Sequence, residues 1–83
     1  MARTVNITRK TRTLGIAFSH HPSIAVPDEP EATGTAAQLA PVLASYPDSR
    51  AVLFVGGRRM TDDPRDVLPV LLDGKTHNAT PAE

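Results

Sequence analysis

Two glycines followed by two arginines, Gly56-Gly57-Arg58-Arg59, are the residues of this sequence best suited to bind an anion. Glycine lets the backbone approach a ligand closely, and arginine donates charge-assisted hydrogen bonds to phosphate oxygens. The stretch follows an apolar run and precedes a helix start, where α/β proteins place phosphate-binding loops. It contains neither G-x-G-x-x-G nor G-K-[ST], and Asp62 and Asp63 add negative charge nearby. Phosphate or nucleotide binding is therefore one hypothesis, and a glycine turn with two solvated arginines is the simpler interpretation.

The eleven residues from Val52 to Asp62 resemble the opening strand and loop of SLOG-like nucleotide-sensing domains, whose start often reads V-L-x-x-G-G-R-x-x-T-D. The resemblance implies a nucleotide-binding loop at the two glycines. In that family the motif opens the fold, whereas only 21 residues follow it here. The chain is therefore not assigned to the family.

The N-terminal segment offers a second kind of anion chemistry. Residues 1–21 carry four basic side chains and no acid: Arg3, Arg9, Lys10 and Arg12. Four cations neutralise about four phosphates, which predicts modest, salt-sensitive binding to nucleic acid. No helix-turn-helix, zinc-finger or aromatic RNA-binding signature accompanies them. A regulatory nucleic-acid-binding role is accordingly the alternative function.

Nothing in the sequence arranges residues for catalysis. The serines lack a G-x-S-x-G context, and the chain has no cysteine, so thiolate zinc sites and disulfide scaffolds are excluded. His20 and His21 are adjacent, and neighbouring strand residues point to opposite faces, while His77 lies far along the chain. We therefore expect a protein that is not an enzyme and needs no cofactor and no metal.

The residues before the first acidic stretch have the alternating apolar pattern of half-buried strands. The alternation runs from Val5 to Ile7 and again from Leu14 to Phe18. The basic stretch between them predicts a β-hairpin over the region 1–26, with an extended arm as the alternative. An acidic linker is predicted over 27–34, because two prolines, three acids and a glycine do not suit a core.

A helix–strand–helix unit is predicted over 35–74, with a flexible tail over 75–83. Thr35 and Asp63 have the side chains of helix N-caps. The apolar run 51–55 between the helices has the unbroken pattern of a strand buried on both faces. The chain as a whole predicts one small α+β domain, or a small α/β one, with a hairpin or arm followed by helix–strand–helix.

Each predicted helix has an apolar stripe and contains a proline. Pro41 and Pro69 lie past the first helical turn, where an interruption is expected. If the protein functions in assembly, the stripe of the first helix or the stripe over Val67–Leu72 should lie partly exposed and form a hydrophobic interaction surface. The residues of that expected surface are Leu39, Val42, Leu43, Tyr46, Val67, Leu68 and Leu71.

Composition favours a small subunit supported by a partner. The chain has 83 residues, of which 40% are apolar and only 4% aromatic, so little large side-chain area is available for a core. Charge alternates along the chain, with +4 over 1–21, −4 over 22–49, +3 over 50–59 and −3 over 60–83. Alternating blocks are compatible with pairing between copies as well as with charge matching within one chain. We therefore expect a protein–protein interaction or assembly subunit, either as a homo-oligomer or bound to another protein.

Location and source are indicated only in outline. Arginine outnumbers lysine seven to two and there are eight prolines, which suggests a bacterium with GC-rich DNA, or its phage, and a bacterial or phage complex. No apolar run approaches the roughly 18–20 residues that span a bilayer. No apolar signal-peptide core is visible at the N-terminus. The expectation is a cytoplasmic protein, or one within a phage particle, without a membrane partner.

Overall fold

Two helices and six strands make up the part of the chain that the computed structural model describes, residues 4–8 and 12–82. In chain order they are β1 (Val5–Ile7), β2 (Leu14–Ser19), β3 (Ala32–Gly34), α1 (Ala36–Ala44), β4 (Arg50–Val55), β5 (Arg58–Arg59), α2 (Pro64–Leu72) and β6 (His77–Ala79). The strand pairs within these ranges are antiparallel. The predicted mixed α+β class is therefore confirmed, whereas an α/β fold would have parallel strands.

The strands form two sheets, and the pairing of β1 differs from the predicted hairpin. The larger sheet has the order β3-β2-β4-β5, while β1 pairs with β6. In the predicted hairpin, β1 would pair with β2 from Leu14 onwards. From Leu14 to Ile16, however, both edges of β2 are occupied, one by β3 and the other by β4. A bridge between Met60 and Pro81 links the two sheets.

The range predicted as a linker, 27–34, contributes an edge strand. Its last residues form β3, and just before them the Glu31 N–H donates to the Ile16 carbonyl at 2.8 Å. The Glu31 carboxylate then accepts from the Phe18 N–H at 3.1 Å. The Glu31 side chain therefore bonds to the backbone of β2 beyond the residues that pair with β3.

The range predicted as a flexible tail, 75–83, contains β6, and residues beyond β6 remain bonded to the fold. The Thr61 N–H donates to the Thr80 carbonyl at 2.8 Å, and the Ala82 N–H donates to the Arg59 carbonyl at 3.0 Å. Ile7 and Ala79 on the paired strands are both fully buried. The C-terminal segment therefore closes the core.

The core lies on both faces of the larger sheet. On one face the two helices cover Leu53 and Val55 of β4. On the other face Phe54 packs with Ala17 and Val26, in the segment after β2. The unbroken apolar run of β4 is thus explained by burial on two sides. The molecule measures 34 × 32 × 17 Å.

Both helices begin at the residues that the sequence indicates. The Thr35 hydroxyl and the Gln38 side chain form a reciprocal capping box at the start of α1. The Asp63 carboxylate accepts from the Arg65 N–H at 2.9 Å at the start of α2. Each helix continues through the proline at its sixth residue, so the expected interruption does not split either one.

Candidate functional site

The outer surface of the helix layer contains an apolar groove of about 370 Å³ between α1 and α2. We call it the helix groove, and it is lined by Ala40, Leu43, Ala44, Pro47, Arg65, Leu68, Pro69 and Leu72. Leu43 and Leu68 are 6% and 2% exposed and form its floor, whereas Leu72 is 42% exposed. The large apolar side chain of Leu72 is therefore solvent-exposed beside the buried apolar residues of the groove.

The outer face of α1 carries no charge. No charged residue occurs from Ala32 to Pro47, although Ala37, Pro41 and Ala44 of the helix are exposed. Surface helices normally place charged or polar residues on the solvent side, and α1 has one such residue, Gln38, whose side chain accepts from the Thr35 N–H in the capping box. In the single chain α1 is covered only on its inner side.

Arg65 holds a positive charge at one end of the helix groove. Its guanidinium donates to the Tyr46 carbonyl at 2.6 Å and to the Ser49 hydroxyl at 3.3 Å. The Asp63 carboxylate lies 3.9 Å away. These contacts join the start of α2 to the turn after α1, so the charge has a fixed position.

Asp73 places a negative charge at the other end of α2. It is the C-cap residue, and no basic residue lies in the last turn of the helix. The C-terminus of a helix carries a partial negative charge, so an acid there is unfavourable. Within the described residues Asp73 forms no ion pair, and Lys75, two residues on, does not pair with it.

The predicted hydrophobic surface lies mostly in the core of the single chain. Five of its seven residues are at most 6% exposed: Leu39, Leu43, Val67, Leu68 and Leu71. Val42 is partly buried. Tyr46 is 44% exposed, and its ring packs against Phe18 and His20 with centroids 5.0 and 4.9 Å apart. Among these seven residues only Val42 and Tyr46 are accessible, and Leu72, at the end of the second stripe, is 42% exposed.

The glycine–arginine stretch forms a hairpin turn between β4 and β5. Gly56 and Gly57 have φ values of 61° and 77°, the left-handed conformation that two-residue hairpin turns require. The exposed Arg58 and Arg59 line a cavity of about 440 Å³ with Gly57, Asp28, Pro81 and Ala82. Arg59 is paired with the Asp28 carboxylate at 3.2 Å. The turn leads into a strand instead of directly into a helix.

The basic N-terminal residues are only partly placed. Arg3, Arg9 and Lys10 lie outside the described residues, and Arg12 is exposed. The structure therefore leaves the nucleic-acid hypothesis as a prediction.

The three histidines have separate local roles. His20 packs edge-on against Tyr46, and the His21 ring accepts from the Ser23 N–H at 3.0 Å. His77 pairs with Asp62 at 2.9 Å. Within residues 4–8 and 12–82, no group of three or more histidine, aspartate or glutamate side chains is arranged to hold a metal ion.

Asp62 is the residue that fastens the C-terminal segment. Besides the His77 ring, its carboxylate accepts from the Thr80 N–H at 2.7 Å. Burial acts to raise the pKa of Asp62. The hydrogen bonds from Thr80, from His77 and from its own backbone, together with the charge of His77, outweigh burial and lower that pKa below its ordinary value.

The helix groove was not predicted from the sequence. Its exposed residues are alanine, proline and one leucine, which belong to no recognised binding motif, and its shape depends on how α1 and α2 pack. The uncharged run from Ala32 to Pro47 is the signal that was available.

No protein-family model, curated protein or solved structure matches the chain. The described ranges contain no helix of the length and apolar character needed to cross a bilayer. The functional argument accordingly rests on the groove, the charges at its ends and the cavity beside the hairpin turn.

Proposed function

We propose that the chain is a non-catalytic protein–protein interaction or assembly subunit, and that the helix groove with the outer face of α1 is its contact surface. The observation that carries the proposal is the uncharged, solvent-facing side of α1 beside an apolar groove. Protein interfaces are depleted in charged residues at their centre and polar at their rim. Here the apolar groove provides the centre, while Arg65 and Asp73 provide charged rim positions.

Burial of the predicted stripes supports this choice of surface. Leu39, Val67 and Leu71 already stabilise the single chain, so a partner that used them would have to open the core. Leu72, Pro69 and Ala44 contact a partner without any rearrangement. The interaction surface is therefore the outer, solvent-facing side of the two helices. The apolar stripes that the sequence periodicity indicates lie on their inner side, in the core.

A site-specific crosslinking experiment tests the proposal. A photoreactive amino acid replaces Ala44 in the organism that encodes the chain, and a matched variant carries it at Thr33, which is exposed on the edge strand β3. We expect covalent protein adducts from position 44 and few or none from position 33. Equal labelling at the two positions, or none at either, would contradict the proposed contact surface.

A second candidate is binding of phosphate or a nucleotide at the hairpin turn, which the cavity lined by Gly57, Arg58 and Arg59 favours. Asp28 competes for Arg59, so Asp28→Asn should strengthen anion binding. The test is the shift in unfolding temperature with inorganic phosphate, because a ligand that binds only the folded state raises it. An unchanged temperature in both the parent and Asp28→Asn would remove this candidate.

The salt dependence of binding distinguishes nucleic-acid binding by the basic arm from apolar assembly. Phosphate-backbone binding weakens steeply between about 50 and 200 mM salt, whereas apolar assembly persists or strengthens. A filter-binding titration at low salt that gives no affinity for DNA or RNA would remove the arm as a nucleic-acid site.

A further inference from the structure

We infer that the partner of the helix groove is a second copy of this chain, placed across a two-fold axis near Pro69 so that the two α2 helices run antiparallel. The inference rests on the proposed contact surface and adds the identity and orientation of the partner. A two-fold contact uses the same patch on both copies, so each feature of the patch must find its complement within that patch.

Two of the charges along α2, those of Arg65 and Asp73, have this self-complementary arrangement. Arg65 lies four residues before Pro69 and Asp73 lies four residues after it. Residues four apart lie on the same side of a helix, so the three residues follow one stripe. When two such helices run antiparallel about Pro69, Arg65 of each copy comes opposite Asp73 of the other.

The position of Asp73 is electrostatically unfavourable in the single chain. It sits at the negative end of α2 without a basic residue in the last turn. A cation from a second copy would offset that repulsion, and Arg65 is held in position by Tyr46 and Ser49. The arrangement thus gives Asp73 an opposite charge and adds a second carboxylate to Arg65, which already has Asp63 at 3.9 Å.

The apolar part of the patch suits the same arrangement. Leu72 lies three residues from Pro69 and projects into solvent at the groove rim. In this register Leu72 comes opposite Asp66 of the other copy, so the contact covers an apolar side chain that is 42% exposed in the single chain.

Sedimentation equilibrium of the purified chain tests the inference directly. With concentration rising from about 10 μM to about 1 mM, a range that detects weak dimers, we expect the mass to rise from 8.9 kDa toward twice that value. A mass that stays at 8.9 kDa throughout would overturn the inference. If the photoreactive residue at position 44 then captures a different protein, the proposed contact surface still stands.

Asp73→Asn gives two opposite expected effects. Measured at concentrations where the chain is monomeric, the unfolding temperature should rise, because an unfavourable charge leaves the end of α2. The Kd for self-association should increase about tenfold, because two equivalent charge pairs are lost from each dimer. The control is Glu29→Gln, an exposed acid in the segment before β3 and outside both helices, and it should leave the Kd unchanged. Equal Kd values for the two variants would overturn the pairing.

Exchange of the charges provides the final arm of the test. Arg65→Glu and Asp73→Arg should each remain monomeric, because like charges meet twice in each homodimer. An equimolar mixture should recover a heterodimer, because one chain then supplies both negative positions and the other both positive ones. Amide NMR spectra of the separate variants establish that each is folded. Two folded variants that fail to associate when mixed would overturn the antiparallel orientation.

Discussion

Gly15 is a point of close approach between the sheet and the segment that covers it. A Cβ atom at this position would lie 2.6 Å from Pro30 Cβ and 3.2 Å from Phe54 Cβ. Real Cβ contacts essentially never fall below 3.0 Å. The rigid proline ring would therefore have to move, and the covering segment with it.

We predict that Gly15→Ala lowers the free energy of unfolding by about 1–3 kcal/mol, the usual range for overpacking a core. Chemical denaturation measures the loss. Pro30→Gly removes the opposing Cβ, so the double variant should lose less than the two single variants added together. Strict additivity would show that Gly15 and Pro30 do not clash.

Asp62 makes the attachment of the C-terminal segment sensitive to acid. Because the pKa of this carboxyl is lower in the folded chain than its ordinary value of 3.8, ionised Asp62 stabilises the fold at all pH values well above 3.8. That contribution disappears as the pH falls through the lower, folded-state pKa. The Thr80 N–H and the His77 ring then lose a charged acceptor.

We therefore predict that Asp62→Asn lowers the free energy of unfolding at neutral pH by about 1 kcal/mol, as expected for hydrogen bonds to a charged group that is partly solvated. The variant should also show a shallower loss of stability below about pH 4. Urea unfolding at a series of pH values measures both effects. The control is Asp48→Asn, at an exposed position, and matching profiles for the two variants would contradict the role of Asp62.

At the scale of secondary-structure elements, both nine-residue helices accept a proline at the sixth position. Proline lacks the N–H that would bond to the carbonyl four residues earlier, which for Pro41 is that of Ala37. Pro41 is exposed, so no core contact compensates directly. The capping box at Thr35 and the buried inner stripe hold α1 together despite this loss.

Pro41→Ala should therefore stabilise the fold. A helix-interior proline costs about 3 kcal/mol relative to alanine, and part of this is offset because proline also restricts the unfolded chain. We expect a net gain of roughly 1–2 kcal/mol in the free energy of unfolding, measured by urea titration. Pro47→Ala lies outside the helix and should give no gain. A stability loss in Pro41→Ala would mean that the proline fits the helix better than its missing hydrogen bond suggests.

The elements that the sequence predicts are those whose signals are local. Thr35 and Asp63 fix the helix starts within a few residues, and the apolar run of β4 needs no information from elsewhere. The partner of β1 was not predictable in this way, because His77-Asn78-Ala79 carries no strand pattern and becomes β6 only through distant pairing. The helix groove was missed for a similar reason, since it arises where two separately predicted helices pack together.

At the scale of the whole molecule, the two ends of the chain complete the fold together. β1 and β6 pair over three residues, and Ile7 and Ala79 are both fully buried beside the helices. The bridge from Met60 to Pro81 continues the contact onto the larger sheet. In a chain of 83 residues such a contribution matters, because small domains bury only about 60% of their unfolded surface.

We predict that removal of residues 76–83 abolishes cooperative folding, because Ile7 and Met60 lose the strand that covers them and β1 loses its partner. Removing only residues 82–83 leaves β6 and the Pro81 bridge intact, so this control should retain the parent spectrum.

The measurement is the amide proton–nitrogen NMR spectrum of each chain, with thermal unfolding by circular dichroism alongside. We expect collapsed peaks for the long truncation, which would show that the apparent tail is part of the core. Dispersed peaks for 35–74 in that variant would instead show that the helix–strand–helix unit folds without the terminal strands.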